Sequence, residues 1–251
     1  MKINLFWHNI SYVYCKVELI IFIERLVLFN LEEQNMKKAF VMVLALVSLS
    51  CQSKQTPETG IIKSKEGDLK MDNKKTETAI FAGGCFWCTE AFFTDLKGVE
   101  KVTSGYIGGK TENPTYREVS NGDTGHAEAI KIVFSPDEVA YEDLLEIFFA
   151  THDPTTLNRQ GADVGTQYRS EIFYTSETQK LAAENFIKLL TDQHIYNNKI
   201  VTKVSKASVF YPAEDYHQDY YAQNPNQPYC AAVITPKLDK LKKNYKSKLK
   251  S

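Results

Sequence analysis

The sequence predicts an α+β fold: a two-layer sandwich of one mixed or antiparallel sheet with helices packed on it. Three observations carry this. Strand-like and helix-like segments follow one another without strict alternation, so an all-parallel sheet is not implied. From His126 to Phe134 the side chains alternate with period two. His126, Glu128, Ile130, Ile132 and Phe134 share one face; Ala127, Ala129, Lys131 and Val133 share the other. Between Tyr141 and Ala150, Leu144, Leu145, Phe148 and Phe149 recur at helical spacing.

The remaining elements follow in chain order. Ala79-Ile80-Phe81-Ala82 is a short apolar run, read as a buried strand that Gly83-Gly84 breaks. Helical spacing runs from Phe86 to Leu96, with Gly98 as its stop. Lys101 to Tyr106 reads as a second strand and Gly108-Gly109 as a turn, while Pro114 to Gly125 and Asp153 to Gln167 read as irregular loops. Ser170 to Tyr174 is a further strand. Ser176 and Gln179 have the spacing of a capping box ahead of a helix through about Leu190. Ile200 to Ser205 reads as the last strand, followed by a long aromatic and polar stretch from Phe210 to Cys230.

With 251 residues, 43% of them hydrophobic, the chain is long enough for one packed domain. A net charge of −1 gives no global reason to expect nucleic acid as a partner. Five cysteines, an odd number at uneven spacing, do not make a disulfide scaffold.

The domain is expected over residues 76–238, with a basic tail over 239–251. What precedes it reads as an address. Residues 36–51 are MKKAFVMVLALVSLSC: a basic start, an apolar run too short to span a bilayer, then small residues. This resembles a bacterial lipoprotein signal ending in a lipidated Cys51, with Ser48 where Leu is usual. Residues 1–35 are read as an upstream extension of the gene, so Cys15 carries no function. Residues 52–75 are rich in Lys, Glu, Thr and Ser and poor in large apolar side chains, as in a disordered tether. A membrane-anchored lipoprotein in a bacterial cell envelope, facing the periplasm or the cell surface, is the expected location.

Chemistry concentrates in Gly83-Gly84-Cys85-Phe86-Trp87-Cys88-Thr89-Glu90. Cys85 falls at a strand-to-helix turn, where free N–H groups and the helix dipole favour a thiolate, so its pKa is expected to fall. Cys88 lies one helical turn further on the same side. A zinc half-site would need a second ligand pair, and only Cys230 and scattered histidines remain. A thioredoxin-like dithiol, two inert core thiols, and a nucleophilic thiol with a resolving partner stay open on spacing alone.

The motif GGCFWCTE resembles that of the peptide methionine-S-sulfoxide reductases, the MsrA family. Further blocks match in order: Tyr106-Ile107-Gly108-Gly109, Pro114-Thr115-Tyr116, Gly125-His126-Ala127-Glu128, His152-Asp153-Pro154-Thr155, Asp163 through Ser170, Ala213 through Gln218, and Pro228-Tyr229-Cys230. The resemblance implies that Cys85 attacks the sulfoxide sulfur and becomes a sulfenic acid, and that Glu128 is the acid. Tyr116 and Tyr168 would bind the sulfoxide oxygen, Asp163 would position the site, and Phe86 and Trp87 would hold the methyl group. The face that Glu128 shares with Ile130, Ile132 and Phe134 independently points it into apolar surroundings, which keep a carboxyl protonated near neutrality. The resemblance further implies that Cys88 closes a disulfide with Cys85, reduced by an external thioredoxin-like dithiol, with no other cofactor and no metal. Oxidised proteins would be the substrates and a monomer the working form. His126, His152 and His217 are assigned structural hydrogen bonding and Cys230 a structural role. The runner-up is an envelope thiol-disulfide oxidoreductase acting on protein disulfides, which leaves Glu128 and both tyrosines without a task.

Overall fold

The computed structural model describes residues 75–250. The expected extension, signal segment with Cys51, and tether up to residue 74 lie outside the described residues.

Six strands form one sheet. In chain order they are β1 (Glu77–Gly83), β2 (Val99–Ile107), β3 (Ala127–Phe134), β6 (Ser170–Tyr174), β7 (Lys203–Lys206) and β8 (Tyr211–Pro212). A separate two-stranded hairpin is made by β4 (Arg159–Gln160) and β5 (Asp163–Val164). The spatial order in the sheet is β7-β6-β1-β3-β2-β8. Every pairing is antiparallel except β6 with β7, so the sheet is mixed, as expected.

Register explains which residues are inside. Phe81 pairs with Ile130 and with Ile172, and Ala79 with Ile132. That face receives the first two helices of the core, α1 (Phe86–Thr94) and α3 (Tyr141–Thr151), through Phe81 against Phe93, Tyr141 and Phe148 at ring separations of 5.8, 5.9 and 4.9 Å. The opposite face carries Ile80, Ala82, Ala127, Ala129 and Phe173, covered by Ala207 and Phe210. The period-two reading of β3 therefore holds residue by residue, and it delivers Glu128 to the helix-covered face beside Ile130 and Ile132.

Several segments are more ordered than composition alone suggests. Within the expected loop after Pro114, Thr115 caps a short helix, α2 (Tyr116–Asn121), in a complete capping box with Glu118. The helix after Ser176, α4 (Glu177–Asp192), keeps only half of its box. Ser176 accepts from the Gln179 N–H, but the Gln179 side chain turns to the Thr175 N–H and the Thr78 carbonyl instead. Beyond β8 the chain forms a one-turn α5 (Tyr220–Gln223) and a wide turn at Cys230–Ile234 that leads into α6 (Thr235–Asn244).

The segment expected as a basic tail belongs to the fold. Leu238, Leu241 and Tyr245 are buried, one face of an otherwise lysine-rich helix. Leu249 bridges to Leu96, and the Lys97 N–H donates to the Lys248 carbonyl at 2.9 Å. Lys248 itself reaches Asp143 (2.8 Å) and the buried Glu146 (2.7 Å). The end of α1 is clamped by the far end of the described chain.

Candidate active site

Cys85 is the N-cap residue of α1, fixed by the turn that Gly84 makes at φ +97°, a conformation that costs a residue with a Cβ. A Cβ on Gly84 would also lie 2.7 Å from the Gln160 Cβ, so glycine lets the β4–β5 hairpin sit directly on the turn before Cys85. The Cys85 carbonyl begins the helix, accepting from the Cys88 and Thr89 N–H groups at 3.1 and 3.3 Å. Cys88, three residues on, occupies the same first turn, and both thiols are reduced and buried.

One expectation is corrected here. Burial pushes the Cys85 thiol well up rather than down, reinforced by its hydrogen bond to Cys88 and by Glu128 wherever that carboxyl ionises; only a backbone N–H pulls the other way. The helix terminus is present, but the site is dry, and desolvation outweighs the dipole. Cys88 is moved down, first by the hydrogen bond it takes from Cys85, with burial opposing and the Tyr229 hydroxyl and Lys237 assisting.

Glu128 meets the expectation made for it. It is 1% exposed, and its Oε2 accepts the Phe86 N–H at 3.0 Å. Burial raises its pKa to about 8, so near neutral pH it is a carboxylic acid. The main chain of the residue after Cys85 thus holds this carboxyl in place.

An aromatic wall surrounds this pair. The Phe86 ring lies 5.9 Å from Tyr106, 6.4 Å from Tyr116 and 5.1 Å from His217. Trp87 donates from Nε1 to His217 Nδ1 at 3.0 Å and stacks on Tyr220 at 3.8 Å. Accepting at Nδ1 makes His217 a neutral Nε2–H tautomer, and burial lowers its pKa. Tyr116 heads α2, and its backbone N–H donates to Glu214 at 2.9 Å, while the Tyr106 hydroxyl donates to the same carboxylate at 2.8 Å. Burial raises the Tyr168 phenol, and Glu128, Tyr116, Cys85 and Asp163 all act on it electrostatically, which puts it in the same cluster.

Asp163 reaches the thiols through Tyr229. Its Oδ2 accepts the Tyr229 hydroxyl at 2.7 Å, and that hydroxyl lies 3.7 Å from Cys88 Sγ. Both line a cleft of about 370 Å³ that opens onto Cys85 and Cys88 between the hairpin and Lys237; Phe86, Trp87, Tyr116, Glu128 and Tyr168 are not part of that lining. The other histidines inside motifs make structural hydrogen bonds: His126 accepts from the Gly109 N–H, and His152 joins the Phe148 carbonyl to Ser170.

Glu214 and Tyr229 were not singled out from sequence as site residues. Both sit inside matched blocks, Ala213-Glu214-Asp215 and Pro228-Tyr229-Cys230. Their partners are 66 to 141 positions away, so spacing carried no sign of them.

A buried thiol on a helix N-terminus, a neutral carboxylic acid bound to that helix, and phenols near both suit a thiol-dependent reductase. Comparison with known proteins gives the family. The peptide methionine sulfoxide reductase family matches residues 77–249, and the chain belongs to it. It is 58% identical over 174 residues to the peptide methionine sulfoxide reductase MsrA of Deinococcus radiodurans, covering 69% of this chain and 84% of that one. With the MsrA of Erwinia tasmaniensis it shares 60% over 171 residues, covering 68% and 95%. Among solved structures, reduced Mxr1 from Saccharomyces cerevisiae aligns at TM-score 0.56 with 33% identity, over 63% of this chain and 91% of that one. Methionine sulfoxide reductase A of Corynebacterium diphtheriae aligns at 0.54 with 35% identity, over 61% and 76%. The chain is accordingly a reductase of methionine sulfoxide, and the reading as a general disulfide oxidoreductase is not favoured.

Proposed function

We propose that the chain reduces methionine-S-sulfoxide in oxidised proteins through a covalent cycle on Cys85. The sulfoxide oxygen takes a proton from Glu128 while the Cys85 sulfur attacks the sulfoxide sulfur. The thiol proton lost by Cys85 restores the acid. Methionine leaves, and Cys85 carries the oxygen as a sulfenic acid. Tyr116 and Tyr168 donate to the oxygen as negative charge builds on it. Phe86 and Trp87 hold the methyl group against an apolar wall. Cys88 then closes a disulfide, and a thioredoxin-like dithiol reopens it.

The observation that carries this reading is the Phe86 N–H to Glu128 hydrogen bond at 3.0 Å, joining a neutral acid to the helix that bears the nucleophile. The test incubates the full chain with dithiothreitol and both epimers of N-acetyl-methionine sulfoxide, and follows each by chiral chromatography. Loss of the S epimer alone is expected. If neither epimer is consumed while insulin disulfides are reduced, disulfide exchange replaces this function.

The working location we propose is the bacterial envelope, through a lipid on Cys51. Support comes from the basic, apolar and small-residue order of residues 36–51. Fatty-acid labelling that disappears in Cys51→Ser is expected. An unlabelled wild-type chain in a lipoprotein-processing bacterium would refute it.

A further inference from the structure

We propose that Gln167 is a positioning residue for the reduction step: it ties together the two elements that carry Tyr116 and Tyr168, and so sets how the two phenols converge. The inference rests on the role given to those phenols in the cycle above and deepens that reading. The need for a tie comes from α2 itself. That helix is six residues long, and Val119 is its one buried residue. A helix this short does not hold itself together in water, so contacts from elsewhere must place it. Its first turn is anchored by the Tyr116 N–H on Glu214 at 2.9 Å. Its last turn is anchored by Gln167, whose Nε2 donates to the Ser120 carbonyl at 3.2 Å across 47 positions of sequence. Carbonyls of a last turn have no partner inside their own helix, which leaves Ser120 open to accept.

The other end of the tie is equally defined. Gln167 is 5% exposed and is the middle residue of the short turn Thr166–Tyr168, so the second phenol follows it directly. Arg169 fixes that turn to β6, with Nη1 donating to the Thr166 carbonyl at 3.0 Å and Nε to Glu171 at 2.6 Å. Gly165, at φ +148°, leaves room for the Gln167 amide to fold back; a Cβ there would overlap it. Packing alone does not call for an amide here. The Gln167 Oε1 is buried with no partner among the described residues, and an unpaired buried oxygen costs stability. A methionine would fill the same space without that cost. What methionine lacks is the N–H that reaches Ser120.

Two donors to one oxygen help only when both point at the place where its charge builds, and a misplacement of about 1 Å costs on the order of 10² in rate. With its last turn untied, α2 can swing the Tyr116 phenol off that place. Phe86 and Trp87, which hold the methyl group in the cycle, stay where they are on α1. The loss should therefore fall on the rate of reduction and leave substrate binding almost unchanged.

The experiment is a single turnover of the full chain, without added reductant, on the S epimer of N-acetyl-methionine sulfoxide. The rate of thioether formation is followed against substrate concentration in wild type, Gln167→Met, Gln167→Asn, Tyr116→Phe, and Gln167→Met combined with Tyr116→Phe. Gln167→Met keeps the length and removes the donor. Gln167→Asn keeps the amide but falls one methylene short of Ser120. Thermal unfolding shows which variants are folded, and either one alone suffices for the test. The limiting rate should fall about tenfold to hundredfold in both, while the half-saturating concentration stays within about twofold of wild type. Adding Gln167→Met to Tyr116→Phe should cost less than about twofold more, since the phenol it places is already gone. An unchanged limiting rate in a folded variant, a rise in half-saturating concentration alone, or a cost that adds in full to that of Tyr116→Phe would overturn the tie. Unfolding of both variants would make Gln167 a stability residue and would overturn it as well. A wild-type chain that forms no thioether removes the cycle itself, an outcome distinct from failure of the variants.

Discussion

Replacing Glu128 by glutamine separates two effects that the buried carboxyl combines. The side chain keeps its shape, and the amide oxygen can still accept the Phe86 N–H. The proton available for the departing oxygen is gone. Removal of a positioned acid is worth roughly 10²–10⁴ in rate, so kcat/KM should fall by that factor. Stability should move the other way as pH rises. The native carboxyl titrates at about 8 against an ordinary 4.5, so the unfolded chain ionises first and native stability is lost as pH climbs through that window. At roughly 1.4 kcal/mol per pH unit between the two pKa values, the wild type loses about 3 kcal/mol from pH 4.5 to 7 and about 4 kcal/mol by pH 8. The variant has no such group. Whatever fixed cost its amide carries, its stability relative to wild type should therefore rise by about 3 kcal/mol between pH 4.5 and 7. Urea unfolding at both pH values, beside initial rates of methionine formation, measures both quantities. A pH-independent stability difference, or a rate within threefold of wild type, would refute a neutral Glu128 acting as the acid.

Three other outcomes follow. Gly84→Ala places a Cβ 2.6 Å from the Gln160 Cγ at a φ of +97°, so thermal unfolding should show a loss of about 1–3 kcal/mol and turnover should fall with the displaced Cys85; an unchanged midpoint would contradict the close approach. Lys248→Met removes the cation 2.7 Å from Glu146, whose side chain is 3% exposed, and should cost about 2–3 kcal/mol in chemical denaturation, partly recovered when Glu146→Gln is added; additive effects would argue against the pair. Cys88→Ser should still release one methionine per chain but fail to turn over with a dithiol protein; full turnover would move resolution to another thiol.

How much of this was legible in the sequence depended on the range of each signal. Strand alternation has period two, so Glu128 could be assigned to the core face without knowing what covers that face. Cys85 at a strand-to-helix turn was legible because Gly83-Gly84 and the helical spacing after it are local. The direction of its pKa was not. A helix terminus can be read from neighbours, but dryness is made by side chains brought from elsewhere. Asp163 was found by its block, but its hydrogen-bond partner Tyr229 was not, since that residue is 66 positions away. The C-terminal segment was obscured by its lysines, although Leu238, Leu241 and Tyr245 recur at i, i+3 and i+7, a pattern that predicts a docked helix once charge is set aside.

In the proposed cycle the acid is held by a peptide N–H, not by a side chain, and this has a consequence for change over generations or by design. Selection, or an engineer, can alter the Phe86 ring to admit sulfoxides bulkier than a methyl thioether, while the tether to Glu128 stays where it was. Of the twenty residues, only proline at 86 would delete that tether. The shape of the pocket is thus free to drift while the proton source stays in place, so selectivity for the substrate can evolve separately from the chemistry.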